Sequence, residues 1–289
     1  MGKYKTTNHK RSQPTHSMKV TSLVENTSRR GLPVEHGLSL HIQLDDGRQV
    51  LFDMGQRRLF GDNAKRLGIR LADVDVAIVS HGHYDHGGGL RAFLELNEKA
   101  KVYVHRHAFD PHYSLRENGL RYIGIEPELA IHERVVLCGE ETRIAEDMVL
   151  FAGIDGQYLK PAGNRLLFGP EKDVNDDFRH EQSLIVKEKE KTALFAGCAH
   201  GGIVNIIRRG IHVAGSAFTH VFAGMHLVKS GLSEEEEAAF IHSLAQELTT
   251  YPCCHYFTMH CTGAAQYSML SGEMDNAISY MACGDCVEI

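Results

Sequence analysis

Ser80-His-Gly-His-Tyr-Asp-His86 is the stretch that decides the fold. Four side chains able to ligate a metal, His81, His83, Asp85 and His86, fall within six positions. The segment follows an apolar run at 74–80 (VDVAIVS) and precedes Gly87-Gly-Gly89 and a helix expected over 90–96. Loops at strand ends let side chains converge without breaking a sheet. Imidazoles and a carboxylate suit zinc, and also iron or manganese. The competing reading, histidines that merely cap the next helix, does not account for three histidines and an aspartate at this spacing.

Outward from this segment the chain reads as strands mixed with helices. Runs at 18–25 (MKVTSLVE), 38–44 (LSLHIQL) and 49–53 are β-branched or apolar, and Asp45-Asp46-Gly47 is a hairpin signal between the last two. A helix is expected around 63–67, stopped by Gly68. Further strands are expected at 101–105, 183–186, 192–196, 219–223 and 256–260. Ser233-Glu-Glu-Glu236 is a capping box opening a helix that runs to about residue 248. Residues 1–17 carry no apolar periodicity and read as a disordered tail. Residues 106–190 read as an irregular region of hairpins, either a lid over a site or a plain connection.

The chain has 289 residues, which fits one large domain or two small ones. Its net charge of −6 argues against nucleic-acid or anionic-membrane binding, both of which need excess positive charge. No apolar window is long enough to span a bilayer, and the N-terminus lacks the apolar stretch of a secretory signal. Seven cysteines, two of them adjacent at 253 and 254, do not make a disulfide framework, so reduced thiols and a cytoplasmic location are expected. Nineteen histidines direct attention to metal chemistry.

The central segment resembles the H-x-H-x-D-H signature of the metallo-β-lactamase superfamily. Phe52-Asp-Met-Gly55 resembles that family's early Asp-x-Gly turn, Gly197-Cys-Ala-His200 its third-histidine segment, and Met259-His260-Cys261 its last-histidine segment. Thr21-Ser-Leu-Val-Glu-Asn26, Glu35-His-Gly-Leu-Ser39, Gly224-Met-His-Leu227 and His260-Cys-Thr-Gly263 are similar to a subgroup labelled 7,8-dihydropterin-6-yl-methyl-4-(β-D-ribofuranosyl)aminobenzene-5′-phosphate synthase. The resemblance covers residues 18–289. It implies an α+β, four-layer αββα sandwich with the site at one edge. It further implies one metal on His81, His83 and His200 and a second on Asp85, His86 and His260, with zinc expected. Such a pair would activate a hydroxide, with Asp85 orienting it.

One departure matters. Many members carry a bridging aspartate between the third and last histidines, yet residues 191–233 contain no Asp or Glu. His226 is the nearest candidate, as ligand, proton donor, substrate contact or buried core histidine. The second metal is therefore expected to bind more weakly and the site to favour an anion such as phosphate. Cys198 lies two before His200 and reads as a small buried thiol or as a ligand. Cys283-Gly-Asp-Cys286 is a C-x-x-C pair without a partner pair. Glu25, Asn26, Glu35 and His36 suggest contacts to substrate or support for the ligands, with Glu35 and His36 taken as substrate-binding; ordinary turn hydrogen bonds explain them equally well. Arg116, Arg121, Lys160 and Arg165 are available to an anion, although surface salt bridges explain most such residues.

The expected activity is that of a metal-dependent hydrolase of a small anionic or phosphorylated, pterin-like substrate, compatible with a homo-oligomer. The alternatives are a metal-assisted transferase acting at a pterin methylene and a non-catalytic pterin or metal sensor. A di-iron oxidoreductase fits poorly, because relatives of that kind usually replace the second signature histidine by a carboxylate and add a flavin domain.

Overall fold

Alternation along single strands shows how the layers form. In strand Gln49–Phe52, Val50 and Phe52 face one core while Leu51 faces another. In strand Lys191–Ala196, Ala193 and Phe195 face the first core and Leu194 and Ala196 a third. Strands apolar on both faces must be covered on both. The computed structural model, which describes residues 17–228, 231–251 and 254–289, covers them with two sheets back to back and helices outside. The expected tail, apart from Ser17, and the Cys253 half of the adjacent cysteines lie outside the described residues.

The first sheet runs Cys286–Glu288, Lys19–Val24, Ser39–Gln43, Gln49–Phe52, Val76–Val79, Lys101–His105, Val135–Cys138. The second runs Ile278–Tyr280, His255–Thr258, His220–Ala223, Lys191–Ala196, Ser183–Glu188, Met148–Phe151, Glu141–Ala145. Each is antiparallel on one side and parallel on the other. Helices Leu59–Arg66 and Leu90–Leu96 cover the first sheet. Helices Ile203–Ala214, Glu234–Leu248 and Ala264–Met274 cover the second. This is the αββα sandwich expected.

Local signals account for several boundaries. The Asp45-Asp46-Gly47 hairpin is present, with Gly47 at φ 91°, where a side chain would be strained. The capping box is complete: Ser233 Oγ accepts from Glu236 N, and Ser233 N donates to Glu236 Oε2. The helix expected at 63–67 begins earlier, at Leu59. Within 106–190, strands Val135–Cys138, Glu141–Ala145 and Met148–Phe151 belong to the main sheets. A small third sheet, Leu167–Phe168 with Tyr113–Arg116 and Gly119–Tyr122, stands beside the cavity described next. No helix among the described residues is long and apolar enough to cross a membrane.

Candidate metal centre

The carboxyl ends of parallel strands are where an α/β-type sheet gathers side chains, and the site uses four of them. Val76–Val79 leads into His81–His86, Lys191–Ala196 into Cys198 and His200, His220–Ala223 into His226, and His255–Thr258 into His260. His260 stands not on the strand but in the 3-10 turn His260–Thr262 that follows it. Asp53, Ala199, His226 and His260 all have positive φ, between 46° and 62°. Non-glycine residues seldom adopt that region, at a cost of order 1–3 kcal/mol each, and four of the eight among the described residues stand at this edge.

The hydrogen-bond partners fix the imidazole tautomers. Asp53 Oδ1 accepts from Ser80 N at 2.7 Å, and its Oδ2 accepts from Ser80 Oγ and from His86 Nδ1, each at 2.7 Å. Ser80 Oγ, having donated its proton, accepts from His81 Nδ1 at 2.9 Å. Asn164 Nδ2 donates to the His200 carbonyl at 2.8 Å, so its Oδ1 accepts from His200 Nδ1 at 2.9 Å. Asn26 clamps His260 in the same two-point way: Nδ2 donates to its carbonyl and Oδ1 accepts from its Nδ1 at 2.9 Å. All four rings therefore turn Nε2 inward.

Two buried glutamates hold the loops behind these rings. Glu181 accepts from His200 N and Gly201 N, at 2.7 and 2.8 Å. Burial pushes its pKa up to about 7 against those two amides. Glu25 accepts from His260 N at 2.8 Å and from the Tyr280 hydroxyl at 2.6 Å, and its other oxygen takes Thr27 N and Oγ1.

Inside this frame, His81, His83 and His200 bring one ligand atom each within 4.8 Å of one another. His81 Nε2 lies 3.1 Å from His83 Nδ1. Burial, then the neighbouring imidazoles, holds all three pKa values well below the usual histidine range, so the rings are neutral. His200 Nε2 is buried, carries a lone pair and has no hydrogen-bond partner. A bare buried acceptor costs about 1–3 kcal/mol, and neutral nitrogen donors at this spacing are what a zinc-type cation takes. The residues fit a metal.

Beside this trio, His86 Nε2 is 3.2 Å from His260 Nε2, and Asp85 Oδ2 is 3.5 Å from His260 Nε2. The tight groups divide the expected second trio: Asp85 groups with His260 and His36, and His86 with His81 and Cys198. Burial disfavours the Asp85 carboxylate, yet the adjacent His260 and His36 imidazoles outweigh it and hold its pKa well below the usual range. Burial likewise pulls His86 down, and Asp53 more than reverses it.

Of the other expected residues, His36, Arg116 and His226 line the cavity over these groups. His226 Nδ1 is buried without a partner, and its ring lies 4.3 Å from that of His200. Glu35 is not in the lining; its Oε1 accepts from Gln56 N at 2.9 Å and so serves the turn after Gly55. Arg121, Lys160 and Arg165 do not reach the lining either, being placed on strands and turns outside it. Cys283 is buried against Leu23 O while Cys286 is exposed on an edge strand, so the C-x-x-C pair makes no ligand group among the described residues.

Sequence reasoning missed the support of the signature loop from behind. His180 Nδ1 accepts from Gly82 N at 2.9 Å, which leaves its Nε2 to donate to Asp176 Oδ2 at 3.3 Å. His112 Nδ1 donates to the same oxygen at 2.8 Å. These residues and His83 also fall within 4.8 Å, but His180 has no free lone pair, so the group braces the loop. Burial opposes the Asp176 charge, and the two imidazoles outweigh it. Nothing in 106–190 marks these residues in advance.

A sequence model described as the metallo-beta-lactamase superfamily matches residues 33–213. The uncharacterized protein MJ0448 of Methanocaldococcus jannaschii is 29% identical over 89% of this chain and 94% of its own. The 7,8-dihydropterin-6-methyl-4-(β-D-ribofuranosyl)-aminobenzene-5′-phosphate synthase of the same organism is 24% identical over 94% of this chain and 97% of its own. The solved structure of Tm1679, described as a metal-dependent hydrolase of the β-lactamase superfamily, superposes with a TM-score of 0.77 at 30% identity, covering 94% of this chain and 99% of that one.

Proposed function

This chain belongs to the metallo-β-lactamase superfamily, and from that premise we propose that it is a metal-dependent hydrolase of a small anionic substrate, phosphorylated or pterin-like. The observation that carries the reading is His200 Nε2, a buried lone pair with no partner, set among two other neutral imidazoles. His81, His83 and His200 would hold one cation, and Asp85, His86 and His260 a second. Divalent ions there supply Lewis acidity, acidifying water and stabilising negative charge on the attacked group.

The chain's own residues supply the rest. Asp85, kept ionised by His36 and His260, accepts a proton-bearing nucleophile's hydrogen bond and orients it. His226, with a free buried Nδ1 at the cavity wall, is placed to exchange a proton with the leaving group or to bind an oxyanion. Arg116 at the lining favours negative charge, as bound divalent ions would, and Asp85 is the one carboxylate among the lining residues. Zinc is the expected ion, with the second bound more weakly.

The test is metal analysis of protein purified without chelators, followed by a panel of phosphomonoesters, phosphodiesters and pterin phosphates on the reconstituted enzyme. Metal-dependent hydrolysis of at least one anionic class is expected. A protein that takes up no divalent metal, or a loaded one that only binds the panel without turnover, would overturn the proposal. A second reading, a transferase, is favoured by the synthase relative at 24% identity. It predicts turnover only when an acceptor other than water is added, with the acceptor found in the product.

A further inference from the structure

We propose that Cys198 is a thiolate ligand of the metal ion held by His86. The proposal rests on the metal-hydrolase reading above and adds to it the anionic donor that the second half of the site otherwise lacks. Cys198 Sγ lies 3.1 Å from His86 Nε2, and His81, His86 and Cys198 present ligand atoms all within 4.8 Å. A Zn–S bond of about 2.3 Å and a Zn–N bond of about 2.0–2.1 Å put two donors about 3.1–3.6 Å apart for angles between a right angle and the tetrahedral one. The observed separation falls in that interval. His86 Nδ1 is committed to Asp53, so Nε2 is the atom facing the sulfur.

The backbone brings this sulfur here. Cys198 sits between strand Lys191–Ala196 and His200, and the left-handed Ala199 between them, at φ 54°, turns the chain so that both side chains line the cavity. Gly197 packs directly on Ser80, where any Cβ would collide with the Ser80 hydroxyl. That close approach draws the segment onto the signature loop.

Charge gives the reason. Two dications share one lining carboxylate, Asp85, and residues 191–233 add none. A thiolate supplies a second negative charge at the ion nearest His86 and lowers the repulsion between the ions. Its proton leaves to solvent as the metal binds. Cys261 is the natural control. It is equally buried, lines the same cavity and falls with Cys198 and His226 within 4.8 Å, but its sulfur takes the His226 N–H at 3.2 Å, whereas it is the Cys198 sulfur that lies 3.1 Å from His86 Nε2. The competing reading of Cys198 is a plain S–H···N hydrogen bond to His86.

The test uses the full chain, reconstituted with cobalt(II) under reducing conditions, and reads the near-ultraviolet sulfur-to-cobalt charge-transfer band. The band is expected in the wild type and in Cys261→Ser, and absent in Cys198→Ser and Cys198→Ala. The Cys198 variants should keep one tightly bound equivalent and bind the second at least ten-fold more weakly. Two bound equivalents without the band, or a band that survives Cys198→Ser, would overturn the ligand assignment and leave the hydrolase reading standing. No cobalt bound at all would overturn both. Because Cys261 lines the same cavity, a band that persists in Cys261→Ser is what assigns it to Cys198, and that variant gives the answer even where a Cys198 substitution fails to fold.

Discussion

In the N-terminal half of the site, four donors leave one strand end within six residues; in the C-terminal half, His200, His226 and His260 leave three neighbouring parallel strands one at a time. The first half needs one turn to aim its donors, and a single carboxylate, Asp53, controls both rings that frame it. The second needs a separate device at His200 and at His260. His200 has Glu181 on its amide and Asn164 on its ring; His260 has Glu25 and Asn26 in the same roles. A clustered motif concentrates its control in one residue, and a distributed one repeats a two-part clamp. The halves also differ in the charge behind the rings. A carboxylate behind His86 raises its basicity, while an amide behind His200 and His260 fixes the tautomer without adding charge.

If control is concentrated in Asp53, its loss should be the largest single effect. Asp53→Ala strands Ser80 N, Ser80 Oγ and His86 Nδ1 in a buried site, and breaking a buried charged pair costs about 3–5 kcal/mol. Denaturant melts should show a loss of that order, and metal analysis should show both ions depleted. Retention of either ion at wild-type affinity would break the comparison.

The distributed half predicts separable losses. Glu181→Ala should weaken the ion on His200, and Glu25→Ala the ion near His260, each by about 10–100-fold, the range for residues that orient ligands. Each also leaves at least one buried backbone N–H unpaired, worth about 1–3 kcal/mol in a chemical melt. Competitive metal titration distinguishes the two ions. If either variant loses both equally, the clamps are not independent. Asn164→Ala and Asn26→Ala form a matched pair one step smaller, about 10-fold on the same respective ions, since the amide clamp fixes only ring orientation.

The same contrast explains what was legible in the sequence. His81, His83, Asp85 and His86 announced themselves because their spacing in the chain is their spacing in the site. Glu25 and Asn26 stood out only through short motifs, since their partner His260 lies more than 230 residues away. Asn164, Asp176, His180 and Glu181 gave no signal, because what they do depends on folding the 106–190 region back onto the loops. Helices Ile203–Ala214 and Ala264–Met274 were also missed. Each begins at a glycine with positive φ, Gly202 and Gly263, with no side-chain cap. The first, IVNIIRRGIHVA, is as β-branched as a strand. The strands were readable because both faces are buried, which turns them into continuous apolar runs.

The smallest effect sets a buried histidine of the first sheet, His105, against a half-buried one of the second, His220. Burial holds His105, at the end of a strand in the first sheet, down to about 4, with His107 contributing, and burial and Lys191 do the same to His220 in the second. Both rings take up a proton in the unfolded chain near pH 6.5 but resist it when folded. A depressed folded-state pKa gives stability that is complete above pH 6.5 and lost as pH falls towards 4. Chelator-treated protein should therefore unfold at lower urea at pH 5.5 than at pH 7.5, with the buried histidines His81, His83 and His200 adding to the drop and the raised pKa values of Glu181 and His86 offsetting part of it. Replacing His105 with Gln should shrink the drop more than replacing His220, which is the more exposed and better screened of the two. Equal slopes in wild type and both variants would show that neither ring carries the acid limb, which would then fall to the other buried histidines whose pKa values burial lowers.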